Sequence, residues 1–158
     1  MPGLPRAAEV AQGHGRGHPQ GRQGTGMIAV DTNVLVRFLV KDDEKQAQRA
    51  RQVLEQEAVF LPKTVLLETE RVLRYTYGFD RVAVAEALGK FCGLPQVVVE
   101  DTSTVRQALT WHQAGFDFAD ALHLAASRQV ETFYSFDQAL VRKAKRAQII
   151  PVVQSSNG

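Results

Sequence analysis

The sequence predicts an α/β domain with a central parallel sheet of about five strands flanked by helices. Two observations predict it. Short apolar runs (MIAV, AVFLP, PQVVVED, ETFYSF, IIPVV) alternate with longer segments of helical period. A length of 158 residues, 44% of them hydrophobic, gives one domain enough material for a core.

MIAV reads as the first strand and TNVLVRFLV as a helix, followed by a second helix over Glu44 to Gln56. AVFLP is a short strand ended by Pro62. Helices follow over Thr64 to Tyr77 and over Arg81 to Phe91, the second announced by the turn and cap signal Gly78-Phe79-Asp80. PQVVVED is the third strand and TSTVRQALTWHQ a helix. After Gly115, ADALHLAASRQ reads as another helix. ETFYSF and IIPVV are the last two strands, with DQALVRKAKRA as the helix between them. Strands alternating with helices make a parallel sheet covered on both faces.

Residues 1–26 are rich in Gly, Pro, Gln and Arg and lack apolar periodicity, so they read as a disordered leader or extension ahead of a domain over 27–153, with a short disordered tail at 154–158. His14 and His18 lie in this leader, where Gly and Pro oppose the helix that would align them on a metal. The leader carries Arg6, Arg16 and Arg22 against Glu9. The net charge of +2 therefore comes from it, and the remainder is neutral. A nucleic-acid substrate must be argued from the site, since no overall basic excess supports one. Apolar runs are too short for a membrane span. Cys92, the single cysteine, excludes an internal disulfide and fits a small buried hydrophobe in a reducing, cytoplasmic setting. HExxH, CxxC, GxxxxGK[ST] and a glycine fingerprint after the first strand are all missing, which excludes soft-ligand zinc, P-loop and dinucleotide-binding chemistry.

Four acids stand out: Asp31 in MIAVDTNVLVRFL, Glu68 in VLLETERVLR, Asp120 in DFADALHLA and Asp137 in FYSFDQAL. Asp31 directly follows the first strand and Asp137 closely follows the fourth, at the strand ends where open α/β sheets bind ligands. Asp120 falls in the first turn of its helix, facing the same edge if the connection to the next strand is right-handed. Converging carboxylates call for a neutralising charge, most simply a hard divalent cation, and that points to phosphate chemistry. Each acid also has a structural reading. Asp117 and Asp120 have the spacing of a cap and an acid three residues on, and Asp137 can cap the DQALVRK helix. Asp31, between an apolar strand and an apolar helix, is expected to be poorly solvated unless something binds it. On the Thr64 to Tyr77 helix the apolar stripe Val65, Leu66, Thr69, Val72 and Leu73 leaves both Glu68 and Glu70 at its borders, and periodicity does not choose between them.

Taken in order, DTNVLVRFL, LLETERVLR, DFADALHLA and FYSFDQAL resemble a PIN domain, more narrowly the VapC-like ribonuclease toxins of toxin–antitoxin pairs. The resemblance spans residues 27–153 and implies a three-layer PIN-like fold. It carries the family's acids over as Asp31, Glu68, Asp120 and Asp137, and so selects Glu68 over Glu70. Asp117 is an extra acid at or near the metal site. Asn33 and Ser135 look like the family's polar surroundings of the acids, with plain helix capping as the other reading. The implied activity is a Mg²⁺- or Mn²⁺-dependent endoribonuclease, with the metal held by those four acids and lowering the pKa of an attacking water. The implied partners are RNA, a small antitoxin and a second copy of the chain.

Two rival readings are weaker. A haloacid-dehalogenase-like phosphatase needs a second acid two residues after the first, and position 33 is Asn. A PIN-like protein-binding module with a weak or vestigial site would gain nothing from four mutually repelling acids. His123 reads as a packed or rim histidine rather than a catalytic one. Arg142, Lys143, Lys145 and Arg146 either track an RNA backbone or form a solvated helix end, and the same holds for Arg71 and Arg74. Leu67, Tyr75 and Tyr77 are candidate partner contacts, unless they pack within their own chain. Deleting residues 1–26 is expected to leave the domain folded, because the segment has no apolar face to bury. A truncated protein without a cooperative thermal transition contradicts this.

Overall fold

The computed structural model describes residues 26–155; the leader with His14 and His18, and residues 156–158, lie outside them. Two compact units divide the chain, one ending at Glu100 and one beginning at Asp101.

In the first unit β1 (Ile28–Ala29), β2 (Val59–Leu61) and β3 (Val97–Val99) form a parallel sheet in that order, with Ile28 opposite Val59 and Val59 opposite Val97. Strand alternation sends Val59, Leu61, Val97 and Val99 into the core. The helices are α1 (Thr32–Val40), α2 (Glu44–Gln56), α3 (Lys63–Arg71) and α4 (Arg81–Cys92). Aspartates open three of them: Asp31, Asp43 and Asp80 each accept a backbone N–H of the first turn. Gly78, at φ 69, supplies the left-handed turn ahead of α4.

The helix expected to run to Tyr77 leaves α geometry after Arg71 and continues as a π-turn over Val72–Thr76. The wider turn rotates the following side chains away from a 3.6-residue period. Tyr77, at the end of this turn, is half-buried. Its hydroxyl donates to Asp42 Oδ2 at 2.8 Å, while Arg37 Nη1 donates to both oxygens of Asp42 at 2.6 and 2.7 Å. Tyr77 also stacks on Phe79 with centroids 6.1 Å apart. It packs within its own unit, Leu67 is half-buried, and Tyr75 stays exposed.

In the second unit α5 (Thr102–Gln113) packs on α6 (Phe118–Ala126), and Val105, Ala108, Leu109, Phe118, Ala121 and Leu122 of the two helices are buried. Beyond them β4 (Thr132–Ser135) and β5 (Val152–Ser155) form a parallel pair bridged by α7 (Gln138–Arg146). β5 runs to Ser155, two residues past the expected end of the domain at 153.

The fold is α/β with parallel strands, as the sequence predicts, but the five strands fall into sheets of three and two rather than one sheet of five. The strands are short, two residues in β1 and four in β4, and short strands offer few ladder bonds at each edge. Leu66 is fully buried in α3. Leu66→Ala is expected to lower stability by about 2–5 kcal/mol in urea denaturation, and a loss well below that range would mean the site is not tightly packed.

Candidate acidic site

In the first unit the site is built on the start of α1. Asp31 caps the helix, with Oδ1 accepting from Val34 N–H at 3.1 Å. The carboxylate is exposed, so the expectation that it lacks solvation is wrong: water reaches it, and the cap fixes it in place. Thr32, only 8% exposed, donates its hydroxyl to Glu68 Oε2 at 2.6 Å. That bond holds Glu68, itself exposed, beside the N-terminus of α1. Glu70 is 5% exposed and faces Arg74 Nε at 3.6 Å. Glu70 is thus turned inward onto an ion pair and Glu68 outward. Asn33 is exposed in the first turn of α1.

In the second unit three acids stand at two helix starts. Asp117 Oδ1 accepts from Ala119 and Asp120 N–H at 2.9 and 3.3 Å, and Asp137 Oδ1 accepts from Ala139 and Leu140 N–H at 2.8 and 3.1 Å. Ser135 Oγ accepts from Asp137 N–H at 3.0 Å, which fixes the turn between β4 and α7. Asp120 is half-buried in the first turn of α6. Burial first, then the negative charges of Asp117 and Asp137, push its pKa above the usual carboxylate range, while His123 and Lys143 oppose them. Asp117 and Asp137 are therefore both within electrostatic reach of Asp120. His123 is exposed on the rim rather than packed in the core.

The turn ahead of Asp117 is clamped at two successive carbonyls. Lys143 Nζ donates to Gly115 O at 2.6 Å and lies 5.4 Å from the centre of the Phe116 ring. His112 Nδ1 lies 2.8 Å from Phe116 O, which must accept, so Nδ1 carries the proton. Gly115, at φ 105, is in a region closed to most other residues. The sequence reading missed the Thr32 tether and this clamp. A threonine directly after the strand-end acid was a signal for the first, but the second joins groups 28 residues apart, a distance at which periodicity is silent.

Burial first, and then the negative charges of Asp117 and Asp137, disfavour the ionised form of Asp120, and a bound cation would offset both. Among the described residues no three His, Cys, Asp or Glu side chains form a ready cage for a metal. Cys92 is no competitor as a ligand, since burial pushes its thiol up to about 12.

The fold is α/β, with aspartates capping the helices that follow β1 and β4. The PIN domain family model matches residues 28–146, and the chain belongs to that family. No curated protein and no solved structure gives a significant match. PIN domains are generally nucleases and typically use divalent metal ions.

The sign of the Asp120 shift has a measurable consequence. A raised carboxyl pKa favours folding fully below the unfolded value, and that contribution is lost as pH rises through the folded value. Asp120→Asn imitates the neutral form and still suits a first helical turn. Without metal at pH 7 its Tm is expected to equal or exceed that of the wild type, with the gap closing below about pH 4. A large fall in Tm at pH 7 would show that the charge itself is structural.

Proposed function

We propose that the chain is a Mg²⁺- or Mn²⁺-dependent endoribonuclease, the toxin of a VapC-like toxin–antitoxin pair. The observation that carries the reading is the crowding of Asp117, Asp137 and Asp120 within a chain of the PIN family. Asp31, Glu68, Asp120 and Asp137 are assigned as the residues that hold the metal, with Asp117, Asn33 and Ser135 in support. A bound divalent ion supplies Lewis acidity, which makes a water more acidic and offsets charge on the phosphodiester.

The chain's own part is to hold carboxylates ready. Asp31 and Asp137 are fixed by their caps, Glu68 by Thr32, and Asp120 by the clamped turn before α6. Lys143 and His123 favour the ionised form of Asp120, the form that accepts a cation. With no histidine or cysteine among the donors, proton transfer falls to the carboxylates and water.

The RNA is to be accompanied by two protein partners: a second copy of the chain, and a small antitoxin. An arginine fork from an inhibitor pairs well with clustered carboxylates, and it would compete with the metal for them. Exposed Tyr75 is a candidate contact for such a partner.

The test is cleavage of RNA by purified protein with Mg²⁺ or Mn²⁺. Asp31→Asn and Asp120→Asn are expected to lose more than the roughly 10- to 100-fold that removal of an outer-sphere partner costs, with the fold intact. Asparagine retains the capping geometry at Asp31, so lost activity there is not lost structure. Cleavage that survives chelation, or full activity in Asp31→Asn, sinks the metal mechanism. The toxin assignment is tested separately by expression in a host: growth should slow, and a small co-expressed neighbour should bind and restore it.

A further inference from the structure

One hydrogen bond is a weak hold on an exposed carboxylate. The bond from Thr32 to Glu68 ties α3 to the first residue of α1, and it is only part-buried, so water competes for both partners. A lone bond of this kind shifts a conformational balance by roughly two- to tenfold. It also acts at a single point, about which a helix can still pivot.

A second tie joins the same two stretches of chain farther along both. The Tyr77 hydroxyl donates to Asp42 Oδ2 at 2.8 Å, and Asp42, just past the end of α1, is gripped by Arg37 of α1 at 2.6 and 2.7 Å. Arg37 Nε donates in turn to Gln46 of α2 at 2.9 Å, which anchors the acceptor from the other side. Between the two ties Arg74 braces the chain, with Nε 3.6 Å from Glu70 and Nη1 donating to Phe79 O at 3.2 Å. The Phe79 ring lies nearly parallel to that of Tyr77, at 8°, so brace and tie meet. The π-turn Val72–Thr76 sits inside this frame, between the helix that carries Glu68 and the residue that carries the second tie. A π-turn interrupting a helix is rare and frequent at functional sites. Two ties at separate points fix a helix both along its neighbour and in rotation, which is how a functional carboxylate is held ready by groups that never touch its ligand.

Resting on the assignment of Glu68 as a carboxylate that holds the metal, we propose that Tyr77, Asp42 and Arg37 are positioning residues for Glu68. They close a frame that runs from Thr32 along α1 to Asp42, across to Tyr77 and back through the π-turn to Glu68. The frame keeps the Glu68 carboxylate beside the start of α1 before any cation arrives, and the three residues act on the cation only through Glu68.

The test reads Glu68 itself. Its side-chain carboxyl carbon is followed by carbon NMR of the full chain at neutral pH without metal, assigned by its loss in Glu68→Gln, and Thr32→Val gives the position of the untied group. Tyr77→Phe, which removes one hydroxyl and keeps the ring, and Asp42→Ala, which removes the acceptor, are each expected to move the resonance toward the Thr32→Val position. Tm controls for folding. Mn²⁺ affinity, read from the free-ion electron paramagnetic resonance signal, is expected to fall about threefold to tenfold in Tyr77→Phe. In a Glu68→Gln background Tyr77→Phe should cause no further loss, because the residue it acts through is gone. A resonance that stays at the wild-type position in both variants overturns the proposal. So does a loss of Mn²⁺ affinity of equal size in both backgrounds, since the cluster is then a clasp of the fold alone. A chain whose resonance moves as expected but that neither binds Mn²⁺ nor cuts RNA keeps the frame and refutes the ribonuclease reading. A chain whose Mn²⁺ binding and cleavage ignore both Tyr77→Phe and Asp42→Ala refutes the frame alone.

Discussion

Asp31, Asp117 and Asp137 occupy the same local position, the residue before the first turn of a helix, and each commits one carboxylate oxygen to backbone N–H groups that have no partner within the helix. The arrangement solves a problem set by like charges. Acids grouped for a cation repel one another when it is away, and a helix N-terminus, with its free N–H groups and positive dipole end, steadies a carboxylate without neutralising it. Only one oxygen of each acid is engaged in the cap, so the other is free for a ligand. A cap of this kind leaves an acid in a fixed place without itself assigning it a ligand.

Asp120 departs from this pattern. It lies inside the first turn rather than at the cap, half-buried, with Asp117 and Asp137 as its charged neighbours. Its support comes from farther away. Lys143, on the helix that Asp137 opens, reaches back to Gly115 O, so one helix contributes both an acid and the cation that secures the turn ahead of the other two. His112 holds the next carbonyl from within the core. The consequence is that the geometry at Asp120 depends on contacts of long sequence separation, and it is the part of the site most open to disturbance by distant substitutions.

How much of this was legible follows from the range of the interactions. The caps are local, and the strand–acid–helix order places Asp31 and Asp137 without any coordinates. The five strands were legible for the same reason, because each is a short apolar run bounded by turn residues. Their grouping was not, since whether two strands share a ladder is decided by edges that no periodicity reports. Glu68 and Glu70 were indistinguishable by period, and only the Thr32 bond and the Arg74 pair separate them. Tyr77 was open to a partner contact or to packing within its own chain, and its hydroxyl donates to Asp42, a bond between residues 35 apart that periodicity does not report. The solvation argument for Asp31 failed because apolar neighbours in sequence do not enclose a side chain at a helix start.

The claim central to the proposed function is that Asp31, Glu68, Asp120 and Asp137 hold a hard cation. The most direct measurement is a crystal structure of the protein soaked in Mn²⁺, with anomalous scattering used to place the ion. The account predicts a Mn²⁺ peak coordinated by oxygens of Asp120 together with others of Asp31, Glu68 and Asp137, its remaining positions filled by water. A fully soaked crystal with no peak at these carboxylates, or with the ion bound only elsewhere on the surface, contradicts it.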